Sequence, residues 1–202
     1  MKKKDYHHGD LKNALIDAGI EILNNEGLTG LSLRNVAQKA NVSHSAPYAH
    51  FKDKQALIAA ISTEGLRKLY TVLSGVTHQY QDEPLEQLYE VAWAYVKFAL
   101  DYTGLFKVIF SSAIEREHDY PDFVEISPLN FNNTVEVIKN NQASGYLKPG
   151  DPNLLAIGIW SMVHGFIFLF LEKQIPSKIL KQYEIKALLT IILDQFVISA
   201  NT

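Results

Sequence analysis

Between Ser43 and Lys54 the chain reads SHSAPYAHFKDK, which brings hydroxyls, imidazoles, a phenol and an ammonium close together. Such groups placed around helix N-termini, where backbone amides favour anions, suit phosphate oxygens better than a reacting bond. Ser32, Tyr48, His50 and Lys54 are the expected phosphate contacts, with Thr29 and Arg34 as additions. Ser43, His44, Ser45 and Ala46 form the start of the same stretch and are expected at base edges. A serine hydroxyl donates or accepts there, and an alanine methyl suits the methyl of thymine. Lys2-Lys3-Lys4 with Tyr6-His7-His8 offers an arm for the backbone or the minor groove.

Catalytic and metal chemistry has thin support. His7-His8 lacks a third ligand of fixed geometry, and no Gly-rich phosphate loop, nucleophile elbow or HExxH pattern occurs. Ser161 and His164 share a helix face but have no acid partner, so an all-α enzyme is not expected. No catalytic residue, metal or cofactor is assigned.

The elements that position these groups read as short helices. Leu33, Val36, Ala37 and Ala40 fall on one face, with Ser32 as the N-cap. Asn41-Val42 makes a turn, Ser43 can cap a second helix of about two turns ending near Phe51, and Asp53 can cap the next. Helix, tight turn and second short helix is the helix-turn-helix arrangement, with the second helix as the reader of the major groove. Ahead of it, Leu11, Ala14, Leu15, Ala18, Ile22 and Leu23 give a first helix from Asp10 to about Asn25, with Gly27 placed as its C-cap glycine.

Composition agrees with a folded protein that faces nucleic acid at one end. The 202 residues are 47% hydrophobic, so core material is ample, and the absence of cysteine suits a cytoplasmic protein. The polar start MKKKDYHHGD lacks the apolar stretch of a signal peptide. Net charge is −3 overall, yet residues 1–55 carry eight Lys/Arg against six Asp/Glu. A mildly basic head on an acidic body is what such a division of labour needs.

The segment VSHSAPYAHFKDKQALIAAI, Val42 to Ile61, resembles the end of the DNA-binding domain of TetR-type transcriptional regulators. That family's pattern puts Tyr, His and Phe at Tyr48, His50 and Phe51 and a lysine at Lys54; Pro47 departs from it, where many members carry another apolar residue. The resemblance covers about the first third of the chain and implies DNA contact by Tyr48, His50 and Lys54. It also implies a homodimer on a palindromic double-stranded operator, release by an effector, and no enzyme activity. Trp160, His164 and Gly165 are similar to a W-x3-H-G pattern of one C-terminal subtype.

Further along, helices are expected over residues 53–75, 84–100, 103–112, 122–143 with a break at Pro128, 152–173 and 178–199, joined by an exposed charged connection at 114–121. No run alternates with period two, so the fold class is all-α. The division is a DNA-binding domain at 1–55 and an effector-binding and dimerisation domain at 56–202. Leu154–Leu171 holds only Ser161 and His164 as polar residues, at the lower limit of a membrane span. Its central histidine and glycines and the lack of aromatic belts favour a buried or interface helix, paired with an apolar face of Ile185, Leu188, Leu189, Ile192 and Phe196. These last two helices are the expected dimer contact, with no membrane. Trp93, Phe106, Phe110, Trp160 and His164 are the candidate lining of a pocket for a small hydrophobic or amphipathic effector. The rival reading is a helical effector-binding or protein-interaction module whose helix-turn-helix is non-functional.

Overall fold

In the computed structural model, residues 8–198 are described. Among them the chain forms nine α-helices and no named strand. They are α1 (His8–Gly30), α2 (Leu33–Lys39), α3 (Lys54–Gln79), α4 (Pro84–Asp101), α5 (Thr103–Ile109), α6 (Pro121–Ala143), α7 (Pro152–Leu171), α8 (Ser177–Gln182) and α9 (Ile185–Leu193). The all-α expectation holds. Two compact units result: residues 1–68 with 102–127, and 69–101 with 128–202. As compact bodies these do not follow the 1–55 and 56–202 division, because the start of α3 and the 102–127 segment join the N-terminal unit.

In the first unit Leu15, Leu23, Leu31, Val36, Phe51, Leu57, Ile61, Leu105 and Phe106 are almost fully buried. The α1 stripe is thus a core face, as its spacing requires. Gly27 interrupts α1 with φ 68° and ψ −169°, and the chain makes one more turn to Gly30. That backbone is open to glycine and strained for most other residues. At α5, Asn24 Oδ1 accepts the amides of Gly104 (3.1 Å) and Leu105 (3.2 Å). A Cβ on Gly104 would lie 1.9 Å from the Leu23 carbonyl oxygen, so only glycine lets α5 approach α1 this closely.

The second unit is built around Leu69, Val96, Ala99, Ile138, Leu147, Ala156, Ile167, Leu189 and Leu193. Three of its side-chain amide nitrogens donate across elements. Gln87 Nε2 donates to the Thr77 carbonyl (2.6 Å), Asn140 Nδ2 donates to Gln87 Oε1 (3.1 Å), and Asn141 Nδ2 donates to the Pro84 carbonyl (2.7 Å). These bonds fasten the end of α3, the start of α4 and α6, where an unpaired amide would cost about 1–3 kcal/mol.

Several boundaries differ from expectation. The helix α6 runs through Pro128 without a break. Pro128 and Val124 are both exposed, so the carbonyl left without a donor faces water. The expected 178–199 helix is instead two, α8 and α9, parted at Tyr183-Glu184. After Leu193 the chain turns, and Val197 pairs with Leu147 in an isolated bridge; Ser199 lies outside the described residues. The start of α7 is as expected: Asp151 accepts from the Asn153 side-chain amide at 2.9 Å and from its backbone amide at 2.8 Å, and these hydrogen bonds hold its carboxyl below the usual range. By length and composition α7 could cross a membrane, with mean hydropathy 2.2, and only 28% of its apolar window is buried.

Candidate nucleic-acid interface

Every element of the helix-turn-helix is pinned by a local bond. Ser32 Oγ accepts the Asn35 amide (3.1 Å), which caps α2 as the sequence indicates. Asn35 Nδ2 reaches back to the Gly30 carbonyl (2.8 Å), and the Lys39–Glu21 ion pair ties the end of α2 to α1. Asn41, at φ 56°, ends α2 in the left-handed region that asparagine tolerates.

The second helix is shorter than expected. It is a single 3-10 turn, Ala46–Ala49, that starts after Ser45 and has no side-chain cap. Three residues explain this. Pro47 has no amide to donate, and Tyr48 and His50 reach back only three residues, to the Ser45 (3.2 Å) and Pro47 (2.9 Å) carbonyls. Pro47 and Phe51 are buried and anchor the turn. Asp53 then opens α3 by accepting the Ala56 amide (2.8 Å).

With the turn anchored on its apolar side, its polar side is left outward. Arg34, Ser43, His44, Ser45 and Thr29 are exposed, and Ser32, Ala46 and His50 are half-buried. Tyr48 is 62% exposed, unusual for so large an aromatic side chain. Ser43 and Ser45 share a hydrogen bond between hydroxyls (3.1 Å). Lys54 Nζ donates to the Leu28 carbonyl (3.3 Å), which sets its ammonium beside Thr29 and the α1 terminus. Its other protons remain for a phosphate. His50 Nε2 is buried and has no hydrogen-bond partner. The Lys2–Lys4 and Tyr6-His7-His8 run lies outside the residues whose side chains are described.

The five residues assigned to an effector pocket divide between the two units. Phe106 and Phe110 belong to the first unit, with ring centroids 4.9 Å apart and Phe106 fully buried. Trp93, Trp160 and His164 belong to the second. There Trp160 Nε1 donates to the Tyr95 hydroxyl (3.0 Å), and that hydroxyl lies 2.8 Å from His164 Nδ1. The simplest proton placement has Tyr95 donating to Nδ1, which leaves the His164 proton on Nε2. Burial holds His164 below its ordinary value and pushes the Tyr95 phenol upward. Tyr95 was missing from the sequence-based set, although its position two residues from Trp93 was visible. Trp93 is half-buried on a different face of α4.

Comparison with known proteins supplies the frame for this geometry. Residues 15–61 match the family model of bacterial regulatory proteins of the tetR family, and residues 88–196 match the tetracyclin repressor-like C-terminal domain. The uncharacterized HTH-type transcriptional regulator YobS of Bacillus subtilis is 28% identical over 166 residues, 82% of this chain and 81% of its own. The class D tetracycline repressor of Escherichia coli is 39% identical over 57 residues, 28% of this chain and 26% of its own. A solved structure of a protein of unknown function from Rhodococcus sp. RHA1 superposes with a TM-score of 0.80 at 28% identity, covering 96% of this chain and 97% of that one.

Proposed function

The chain belongs to the TetR family of DNA-binding transcriptional regulators, and from that premise we propose that it is a homodimeric repressor released from a palindromic operator by a small hydrophobic or amphipathic effector. In this reading residues 1–55 contact DNA and residues 56–202 bind the effector and dimerise. The observation that carries it is Tyr48, held out at 62% exposure by the buried pair Pro47 and Phe51. Lys54, Thr29, Ser32, Arg34 and His50 Nδ1 take phosphates. Ser43, His44, Ser45 and Ala46 meet base edges. Two subunits read one site with their turns on the order of 34 Å apart.

Dimerisation is supported by what α7 leaves uncovered. Leu154 (68% exposed), Ile157 (48%) and Leu169 (51%) share an outer face with Gly158, Ser161 and Gly165. An apolar strip with small residues in its middle suits close approach of a second copy, and it explains α7 without a membrane. On α9 the exposed residues are Lys186, Ala187 and Ile191, while Leu188 and Leu189 face the core. We take Ile191 and Ala187 as the part of α9 nearest a second copy, with the expected Ile185, Leu188, Leu189, Ile192 and Phe196 contributing to the core or the interface. The effector is assigned to the second unit, around Trp93, Trp160, His164 and Tyr95. It acts by binding more tightly to the conformation that fits DNA badly. The setting is cytoplasmic.

Selection of genomic DNA fragments by the purified protein at near-physiological salt tests this, run beside a Tyr48→Ala, Lys54→Ala variant. Enrichment of one palindrome by the wild type alone is the expected result. No enrichment by a folded dimer overturns it.

A further inference from the structure

The charged connection between α5 and α6 is exposed over residues 115–119, yet Ile114 before them and Phe123 beyond them are buried in the first unit. Pinned at both ends, it lies beside the exit of the recognition turn. The Glu115 amide donates to Gln55 Oε1 (3.4 Å), and Lys52 Nζ is 5.9 Å from the centre of the Tyr120 ring, within cation–π reach. Tyr120 and Pro121 face a cavity of about 300 Å³ across from His50, Phe51 and Ala56. Burial first, and then the charge of Asp53, push the Tyr120 phenol upward, which fits a ring set against the cap of α3. We propose that Tyr120 is a positioning residue for DNA binding: its ring fixes Lys52 and Asp53, and through them the end of the recognition turn and the start of α3. This rests on the DNA contacts assigned above to Tyr48 and Lys54.

The turn needs a brace because it is short. Ala46–Ala49 has no side-chain cap, and the His50 and Phe51 amides both return to one carbonyl, that of Pro47 (2.9 Å each). A longer recognition helix would hold its own exit through successive ladder bonds, which one turn does not provide. Phe51 anchors the chain from inside, but Lys52, Asp53 and Lys54 are all exposed, so a lateral contact has to set their direction. Tyrosine suits that task, since fixing a rigid ring with two torsions costs little entropy.

Operator affinity and amide hydrogen exchange of the full chain test this with two variants. Tyr120→Leu keeps apolar bulk and removes the aromatic face; Tyr120→Phe keeps the face. Tyr120→Leu should weaken operator binding about fivefold, the worth of one exposed cation–π contact, while Tyr120→Phe binds as the wild type does. In a Lys52→Gln background the leucine change should cost less than about twofold, because the contact is already gone. The His50, Phe51, Ala56 and Leu57 amides should exchange several times faster in Tyr120→Leu, and those of the second unit should not. A merely structural role would lower Tm and leave the affinity of the folded protein unmoved. Unchanged affinity, a phenylalanine variant as weak as the leucine one, losses that multiply with Lys52→Gln, or unchanged exchange would each overturn the proposal. If the wild type selects no DNA the repressor reading falls, and the exchange rates still decide whether Tyr120 braces the turn.

Discussion

Replacing Lys54 with alanine removes one ammonium from the phosphate face and leaves the caps of α2 and α3 in place. Binding should weaken about equally on every sequence, and the slope of log K against log salt should fall by about 0.9. Ser45→Ala should instead relax the choice of base at one position, worth about 1–3 kcal/mol of discrimination, at an unchanged salt slope. Fluorescence anisotropy over a salt series separates the two. His164 makes a different prediction. Burial lowers its native value below that of the unfolded chain, near 6.5, so the unfolded chain takes up a proton first as pH falls. The stability that the neutral ring gives is present above about pH 6.5 and is lost as pH drops toward the lower native value. His164→Gln should therefore show a shallower fall in Tm between pH 7 and pH 5 than the wild type. An identical fall would mean that the ring is not kept neutral by its surroundings.

The contact of α5 with α1 depends on one hydrogen atom. Gly104→Ala would drive a methyl into the Leu23 carbonyl, and backbone must move to admit it. A loss of about 2–3 kcal/mol is expected, read as a lower Tm. Pro128→Ala should act in the opposite sense, since it restores the amide that the exposed Val124 carbonyl lacks, and a higher Tm is the result to look for. Much at this scale was legible beforehand. Asp151-Pro152 and Ser32 announced helix starts, and the α1 and α2 apolar stripes named their buried faces, because caps and period are local properties. The recognition turn was read as a full helix since its residues look helical singly. Pro47 and the three-residue return of the His50 amide decide otherwise. Nor did spacing reveal that Phe106 sits beside α1 while Trp160 bonds Tyr95, because which helix meets which is set by packing between distant segments. His50 Nε2 was hidden for the same reason: the sequence names the imidazole without saying which nitrogen is buried.

At the scale of the whole molecule, the account requires two copies. Ile157→Asp places a charge in the α7 strip, where a second subunit would have to bury it, and should convert dimer to monomer in sedimentation experiments while the helical signal remains. Operator affinity should fall with it, because one subunit offers one half-site. The central claim, that a twofold pair reads DNA through the Tyr48 face, is tested most directly by comparing affinity for the selected palindrome, a single half-site and a scrambled duplex at the same salt. The account predicts binding to the palindrome at least a thousandfold tighter than to the scrambled duplex, on the order of 4 kcal/mol or more, with the half-site in between. Equal affinity for all three, from a protein shown to be folded and dimeric, would contradict it.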